Sequence, residues 1–202
     1  MPNADFFALL RMFVRRGFFD AALCAQLRNE IRSVDRTAAT VRRQGSVYAV
    51  DPQIRSAQWG EVSRSSISLV ESRLLALQQE VARHFDLALA GCQPPQFLAY
   101  RPGDFYRPHR DSSSEPDAAR RAKERRVSVI IFLNSESGER REDSYGGGSL
   151  TFYGLLSDSR SESFGLPLAG EEGLLIAFRS EIVHEVTPVT DGERYTIASW
   201  YF

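Results

Sequence analysis

Cysteine is scarce in this 202-residue chain. Cys24 and Cys92 are the only two, and their spacing offers neither a zinc motif nor a disulfide framework. They read as small buried hydrophobes, a usage that fits a reducing compartment. Net charge is equally slight: 25 Lys and Arg against 26 Asp and Glu leave −1, so no overall field recruits nucleic acid or a membrane surface. No stretch approaches the ~18 consecutive apolar residues of a membrane span. Phe6, Phe7, Leu9, Leu10, Phe13 and Val14 are apolar, but Asp5 precedes them and Arg11, Arg15 and Arg16 interrupt or follow. A secretory signal has the opposite order, positive charge first. The expectation is a cytoplasmic protein with no nucleic-acid or membrane partner. Apolar residues at 43% and charged residues at 25% are ordinary for a globular chain. The length suits one well-buried core, so residues 1–202 read as a single domain.

The first half reads as helical. Asp20 can cap a helix in which Leu23, Leu27, Ile31 and Val34 recur at helical spacing. A second amphipathic helix is expected from about Ser66 to Phe85, with Ile67, Val70, Leu74, Leu77 and Val81 on one stripe. Residues 37–64, with Gly45, Pro52 and Gly60, read as a mobile hairpin or loop. From Gln96 the character changes to short β-branched and aromatic runs separated by turns. Strands are expected at Gln96–Tyr100, Tyr106–Asp111, Arg126–Leu133, Ser149–Tyr153, Gly173–Phe178, Ile182–Thr187 and Tyr195–Phe202. The pattern implies an α+β fold: a jelly-roll (double-stranded β-helix) core over about 96–202, supported by N-terminal helices in 1–95. Two charged loops, 112–125 and 135–146, interrupt the strands; solvated loops are their ordinary reading, although loops beside a jelly-roll mouth can also touch substrate.

Histidine is rarer than any charged residue but lysine, so the placement of three is informative. His109 and Asp111 are one residue apart, and on a β-strand residues i and i+2 share a face. His184 lies in another strand-like run. Two imidazoles and one carboxylate on one face of iron(II) leave positions open for a co-substrate and O₂. A lone His-x-Asp arises by chance in roughly one chain of this composition in six, so it needs context. The context follows His184: Pro188, Val189, Thr190 and Gly192 read as a turn that delivers Arg194 to the mouth of an apolar strand. There it offers a planar fork of donors to a carboxylate. His84, at the end of the second helix, has no carboxylate at a useful spacing and reads as structural.

Taken together, Tyr100-Arg-Pro-Gly-Asp-Phe-Tyr106-Arg-Pro-His109-Arg-Asp111, Arg126–Asn134, Gly146-Gly-Gly-Ser-Leu150-Thr-Phe152, the run from His184 to Arg194 and the ending Arg194–Phe202 resemble the prolyl-4-hydroxylase-like branch of the Fe(II)/2-oxoglutarate dioxygenases. The likeness is to the oxygen-sensing and ribosome-modifying type, and it covers about 96–202. It implies iron(II) on His109, Asp111 and His184, and 2-oxoglutarate with its distal carboxylate on Arg194. Tyr100, Leu150 and Trp200 would line the co-substrate pocket, and Thr196 is a further candidate on the same strand face. O₂ would be the oxidant and ascorbate a candidate reductant; the product would be a hydroxylated C–H bond, with succinate and CO₂ released. One departure stands out. Phe132 occupies a place where close relatives carry a tyrosine, and phenylalanine has no hydroxyl to donate.

The substrate is less legible. Asp51–Trp59, which contains Ile54-Arg55 and Trp59, resembles the mobile substrate-covering loop of prolyl hydroxylases, and Arg125 or Arg126 is near where relatives place a substrate-contacting arginine. These residues point to a prolyl residue in a protein or peptide. Two readings compete: the same chemistry on a small molecule such as a free amino acid or natural-product intermediate, and a non-catalytic jelly-roll binding module.

Overall fold

The computed structural model describes residues 10–42, 48–114, 118–139, 143–155 and 164–202. The first nine residues, residues 43–47 of the expected hairpin, residues 156–163 and parts of both charged loops lie outside that description. Two helices and two β-sheets position the site. Helix α1 (Ala21–Ser33) begins where Asp20 Oδ1 accepts the Leu23 amide at 2.8 Å, and it buries Cys24, Leu27 and Ile31. Helix α2 (Arg64–Phe85) is capped by Ser63 and buries Val70, Leu74, Leu77 and Val81. It stops at Asp86, which takes the left-handed conformation that ends many helices. No helix among the described residues is long and apolar enough to cross a membrane.

The strands are β1 (Phe13–Arg15), β2 (Arg36–Ala38), β3 (Val41–Arg42), β4 (Tyr48–Ala49), β5 (Arg55–Ser56), β6 (Gln58–Gly60), β7 (Gln96–Tyr100), β8 (Phe105–His109), β9 (Val127–Phe132), β10 (Tyr145–Gly147), β11 (Leu150–Phe152), β12 (Leu166–Leu168), β13 (Leu175–Arg179), β14 (His184–Val186), β15 (Val189–Gly192) and β16 (Arg194–Tyr201). The major sheet runs β1-β13-β9-β16-β7-β6-β2 and the minor sheet β12-β11-β14-β8-β5. Two-stranded ribbons, β10-β15 and β3-β4, complete the set. A one-turn helix, α3 (Arg120–Glu124), falls inside the first charged loop.

Period-two alternation on the central strands explains how one sheet serves two environments. Tyr195, Ile197 and Tyr201 of β16, Val127, Val129 and Ile131 of β9, and Phe97 and Ala99 of β7 pack under α1 and α2. Their alternates, including Leu98, Tyr100, Phe132, Ala198 and Trp200, face the space between the sheets. Each large side chain buried in this way contributes roughly 1.5–3 kcal/mol of transfer free energy.

The jelly roll expected from sequence is present, but its boundary is not. Residues before 96 are more than helical support: β1 pairs with β13, β6 with β7, and β5 with β8, so this segment contributes edges to both sheets. The region expected to be a mobile hairpin or loop contains paired strands, β3 with β4 and β2 with β6. Strands of two or three residues leave no periodicity from which to place them. For the same reason β10 and β12 were not foreseen, and the expected Pro188–Gly192 turn is largely strand β15, paired with β10.

Candidate metal centre and co-substrate pocket

Strands β8 and β14 are antiparallel neighbours, and their register sets His184 directly opposite His109. The two imidazoles consequently lie with ring centroids 4.2 Å apart. Asp111 is not on a strand: β8 ends at His109, and the chain bends. The expected i, i+2 presentation is therefore replaced by a clamp. The amides of Asp111 and Ser112 both donate to the Ser180 carbonyl at 3.0 and 3.1 Å, and Ser128 Oγ donates to Asp111 Oδ2 at 2.7 Å. This brings Asp111 Oδ1 to 3.7 Å from His109 Nε2 and Oδ2 to 3.5 Å from His184 Nε2. One ligand atom from each of the three residues lies within 4.8 Å of the others.

The orientation of the rings fixes their chemistry. His109 Nδ1 faces the Arg107 carbonyl at 2.8 Å, and His184 Nδ1 faces that of Ile182 at 3.0 Å. A carbonyl can only accept, so each Nδ1 carries the proton and each Nε2 presents a lone pair toward Asp111. Burial pushes the His109 pKa down to about 3, and the neighbouring His184 acts in the same direction. Burial alone would raise Asp111, but His184, His109 and Arg125 outweigh it and hold the carboxylate ionised well below its usual range. A neutral imidazole and an ionised carboxylate are the forms that bind a divalent cation. Tyr106 stacks on His109 at 3.5 Å and Phe178 meets His184 edge-on at 4.7 Å, so both rings are locked in place. His84 meets the Phe13 and Phe85 rings edge-on, at 5.5 and 4.7 Å, and stands outside the cavity lining.

The triad borders a cavity of about 350 Å³ between the sheets. Arg194, the first residue of β16, lines it opposite Tyr100 of β7. Its guanidinium carbon sits 5.1 Å from the Tyr100 ring and 5.2 Å from that of Phe132, and Nη1 donates to Thr196 Oγ1 at 3.1 Å. Nε has no partner, and no carboxylate pairs with Arg194 among the described residues. Leu150 and Trp200, named by the resemblance, and Thr196, named for its strand face, line the same cavity.

Tyr145, which the sequence did not single out, belongs to this corner. Its hydroxyl is buried without a hydrogen-bond partner. A β-carbon on Gly148 would lie 3.1 Å from Arg194 Cδ and 3.4 Å from the Tyr145 ring, and one on Gly170 would collide with the Tyr145 hydroxyl and the Phe132 ring. Those two glycines therefore let Tyr145, Phe132 and Arg194 meet. Burial pushes the Tyr145 hydroxyl up to about 12, against the pull of Arg194. A tyrosine beginning a glycine-rich run was the available signal, but nothing in the linear order connects it to Arg194.

The substrate candidates divide. Arg55 is buried in the cavity wall and Trp59 is exposed at its rim, both lining the space. Arg125 also lines it, its guanidinium carbon 3.5 Å from the Trp200 ring and its Nε on Gln93 Oε1 at 3.0 Å. Arg126 is exposed and does not line it; its backbone joins Tyr201 and Ser180. Arg110 and Arg121 line the cavity although they were not anticipated.

Comparison with known proteins agrees with this geometry. A prolyl-4-hydroxylase from Pseudomonas putida superposes with a TM-score of 0.71 at 24% identity, covering 98% of this chain and 95% of that one. A prolyl hydroxylase from Trichoplax adhaerens, solved with a hypoxia-inducible-factor oxygen degradation domain peptide fragment, gives 0.71 at 20%, covering 98% and 86%. A viral collagen prolyl hydroxylase from Paramecium bursaria Chlorella virus-1 gives 0.60 at 16%, covering 95% and 94%. No curated protein matches in sequence. The 2OG-Fe(II) oxygenase superfamily model matches residues 95–202, more than half of the chain and the whole of the segment that carries the triad and Arg194; the chain belongs to that superfamily.

Proposed function

We propose that this 2-oxoglutarate-dependent hydroxylase acts on a prolyl residue within a protein or peptide. The observation that carries the reading is the exposed apolar mouth: Trp59, 43% exposed, lines the cavity together with buried Arg55 beside the metal triad. Exposed apolar groups at the mouth of a reactive cavity suit a macromolecular substrate. The peptide in the Trichoplax neighbour supports the same choice.

The residues fit the cofactors of the superfamily. His109, Asp111 and His184 present two neutral nitrogens and one anionic oxygen to a divalent ion. Bound iron(II), with 2-oxoglutarate and O₂, supplies the oxidising power that converts C–H to C–OH with release of succinate and CO₂. The chain does the rest. Arg194 holds the distal carboxylate of the co-substrate, and Thr196 steers its guanidinium. Tyr145 contributes the hydroxyl that Phe132 lacks, accepting from Arg194 and donating to that carboxylate. Leu150, Val186 and Ala198 keep the cavity wall apolar and exclude water. Arg55, Trp59 and Arg125 contact substrate.

The test is anaerobic loading with iron(II), then addition of O₂ and 2-oxoglutarate with proline-containing peptides and, separately, free amino acids. A one-oxygen mass increase on a peptide proline, matched by succinate, is expected. Modification confined to free amino acids would reject the peptide reading.

A further inference from the structure

Three arginines are buried in the described structure, and they are not treated alike. Arg28, 5% exposed, is neutralised: it pairs with Glu172 and Asp143 and donates to the Leu133 carbonyl. Arg194 and Arg55, 1% and 9% exposed, form no salt bridge with a carboxylate among the described residues. Arg55 has the Tyr100 hydroxyl beside it, and the carboxylate acting on it is the more distant Asp111 of the triad. Those two line the cavity, whereas Arg28 does not. An arginine cannot shed its proton when buried, and a buried charge without a counter-ion is strongly disfavoured. An unpaired buried guanidinium is therefore a place kept for an anion.

The two cavity arginines are built on one plan. Each sits on an edge of its strand pairing opposite a tyrosine: Arg194 faces Tyr100, and Arg55 faces Tyr106. Each guanidinium lies over that ring, at 5.1 and 4.7 Å. Each leaves Nε buried without a partner, as Arg28 does, but without Arg28's two carboxylates to neutralise it. Arg55 Nη1 donates to the Thr40 carbonyl at 3.1 Å, which aims the group without neutralising it. Their locations differ. Arg194 is in the major sheet among Phe132 and Thr196. Arg55 is in the minor sheet, one ring away from the triad, because Tyr106 stacks between it and His109. Its neighbours in sequence reach the exposed rim. Among the described residues, the only carboxylate lining the cavity is Asp111, which belongs to the candidate metal triad.

We infer that Arg55 is a second carboxylate seat, facing the substrate end of the cavity, and that the substrate carries a carboxylate close to the C–H bond that is hydroxylated. The inference rests on the hydroxylase reading above and specifies its substrate. In a peptide the carboxylate is an Asp or Glu side chain beside the target proline; in a free amino acid it is the α-carboxylate.

A library of end-capped peptides, centred on proline and randomised at the flanking positions, distinguishes these sources when run beside L-proline and prolinamide. The expected result is hydroxylation with Asp or Glu favoured about tenfold or more over Asn or Gln at one flanking position. Arg55→Gln should erase that preference and Arg55→Lys should retain part of it, each checked for folding by thermal unfolding. The Asp-to-Asn exchange in the peptide needs no enzyme variant at all. If L-proline is modified, prolinamide is not, and Arg55→Gln removes the difference, the carboxylate is that of a free amino acid. Calorimetry with manganese(II) in place of iron gives a readout independent of turnover: Arg55→Gln should weaken binding of the favoured acidic peptide and of its Asn counterpart unequally. A larger loss for 2-oxoglutarate than for the acidic peptide would assign Arg55 to the co-substrate and overturn the inference. Hydroxylation indifferent to charge overturns the carboxylate seat and leaves the hydroxylase reading intact. No product from any peptide or amino acid overturns both.

Discussion

The two faces of the major sheet are built from the same alternating strands, yet they finish their polar groups in opposite ways. On the helix side, Tyr201 donates to the Leu74 carbonyl at 2.6 Å and the Tyr195 amide donates to Asn134 Oδ1 at 2.9 Å. On the cavity side, Arg194 Nε is buried without a partner, and Arg55 Nε joins it from the minor sheet, while Trp200 faces Asp111 and Tyr145 faces Arg194, groups of the site itself. Native interiors rarely leave such atoms unpaired, because each costs about 1–3 kcal/mol. Arg28 Nε on the helix side is unpartnered too, but that guanidinium is neutralised by Glu172 and Asp143, whereas the cavity arginines form no salt bridge among the described residues. The difference lies in charge, which on the cavity side is left for a ligand.

The sharpest way to break the comparison is to remove a metal ligand. Asp111→Ala should abolish hydroxylation and metal binding, read by titration with cobalt(II) or manganese(II), while the thermal midpoint of the metal-free protein changes little or rises. A variant that still binds metal at wild-type affinity would exclude Asp111 as a ligand. Arg194→Ala comes next: KM for 2-oxoglutarate should rise about 100-fold or more, since a charge-assisted pair is lost from a buried site, with metal affinity retained. Normal decarboxylation of 2-oxoglutarate by this variant would refute the assignment of the anchor. On the helix side, Leu74→Ala should cost about 2–5 kcal/mol of stability by denaturant unfolding, with KM for 2-oxoglutarate unchanged in the folded fraction. A shifted KM would mean that the two faces are coupled. The smallest effect is expected for Tyr145→Phe, which removes one hydroxyl worth about 1 kcal/mol and should raise KM for 2-oxoglutarate about fivefold. Restoration by adding Phe132→Tyr would confirm that the two positions supply one hydroxyl to the same corner, and an unaltered KM would remove Tyr145 from the pocket.

Much of the site was legible because its chemistry resides in residue identity. Scarcity, spacing and local context point to His109, His184 and Arg194, and the register sets His184 opposite His109 and Arg194 opposite Tyr100. Asp111 was recognised for a reason that does not hold. The i, i+2 argument needs a strand, whereas the carboxylate is aimed by Ser128 and the Ser180 carbonyl, which come from elements remote in sequence. Tyr145 was missed because its relation to Arg194 runs through Gly148 and Gly170, and no linear spacing expresses such a contact.

By itself, then, the sequence determined the candidate metal triad, the candidate carboxylate-binding arginine and the jelly-roll strands long enough to alternate, since side-chain chemistry and period-two patterning are local properties. The tertiary structure alone decided that the segment before residue 96 closes both sheets, because strands of two or three residues acquire their identity from their partners. It also decided what each buried arginine does. Arg28, Arg55 and Arg194 are the same residue, and the chain distinguishes them by which carboxylates folding brings within reach: two for Arg28, and none from the described protein for the pair that faces the cavity. Charge pairing acts through space over a few ångströms, and only the folded chain sets those distances.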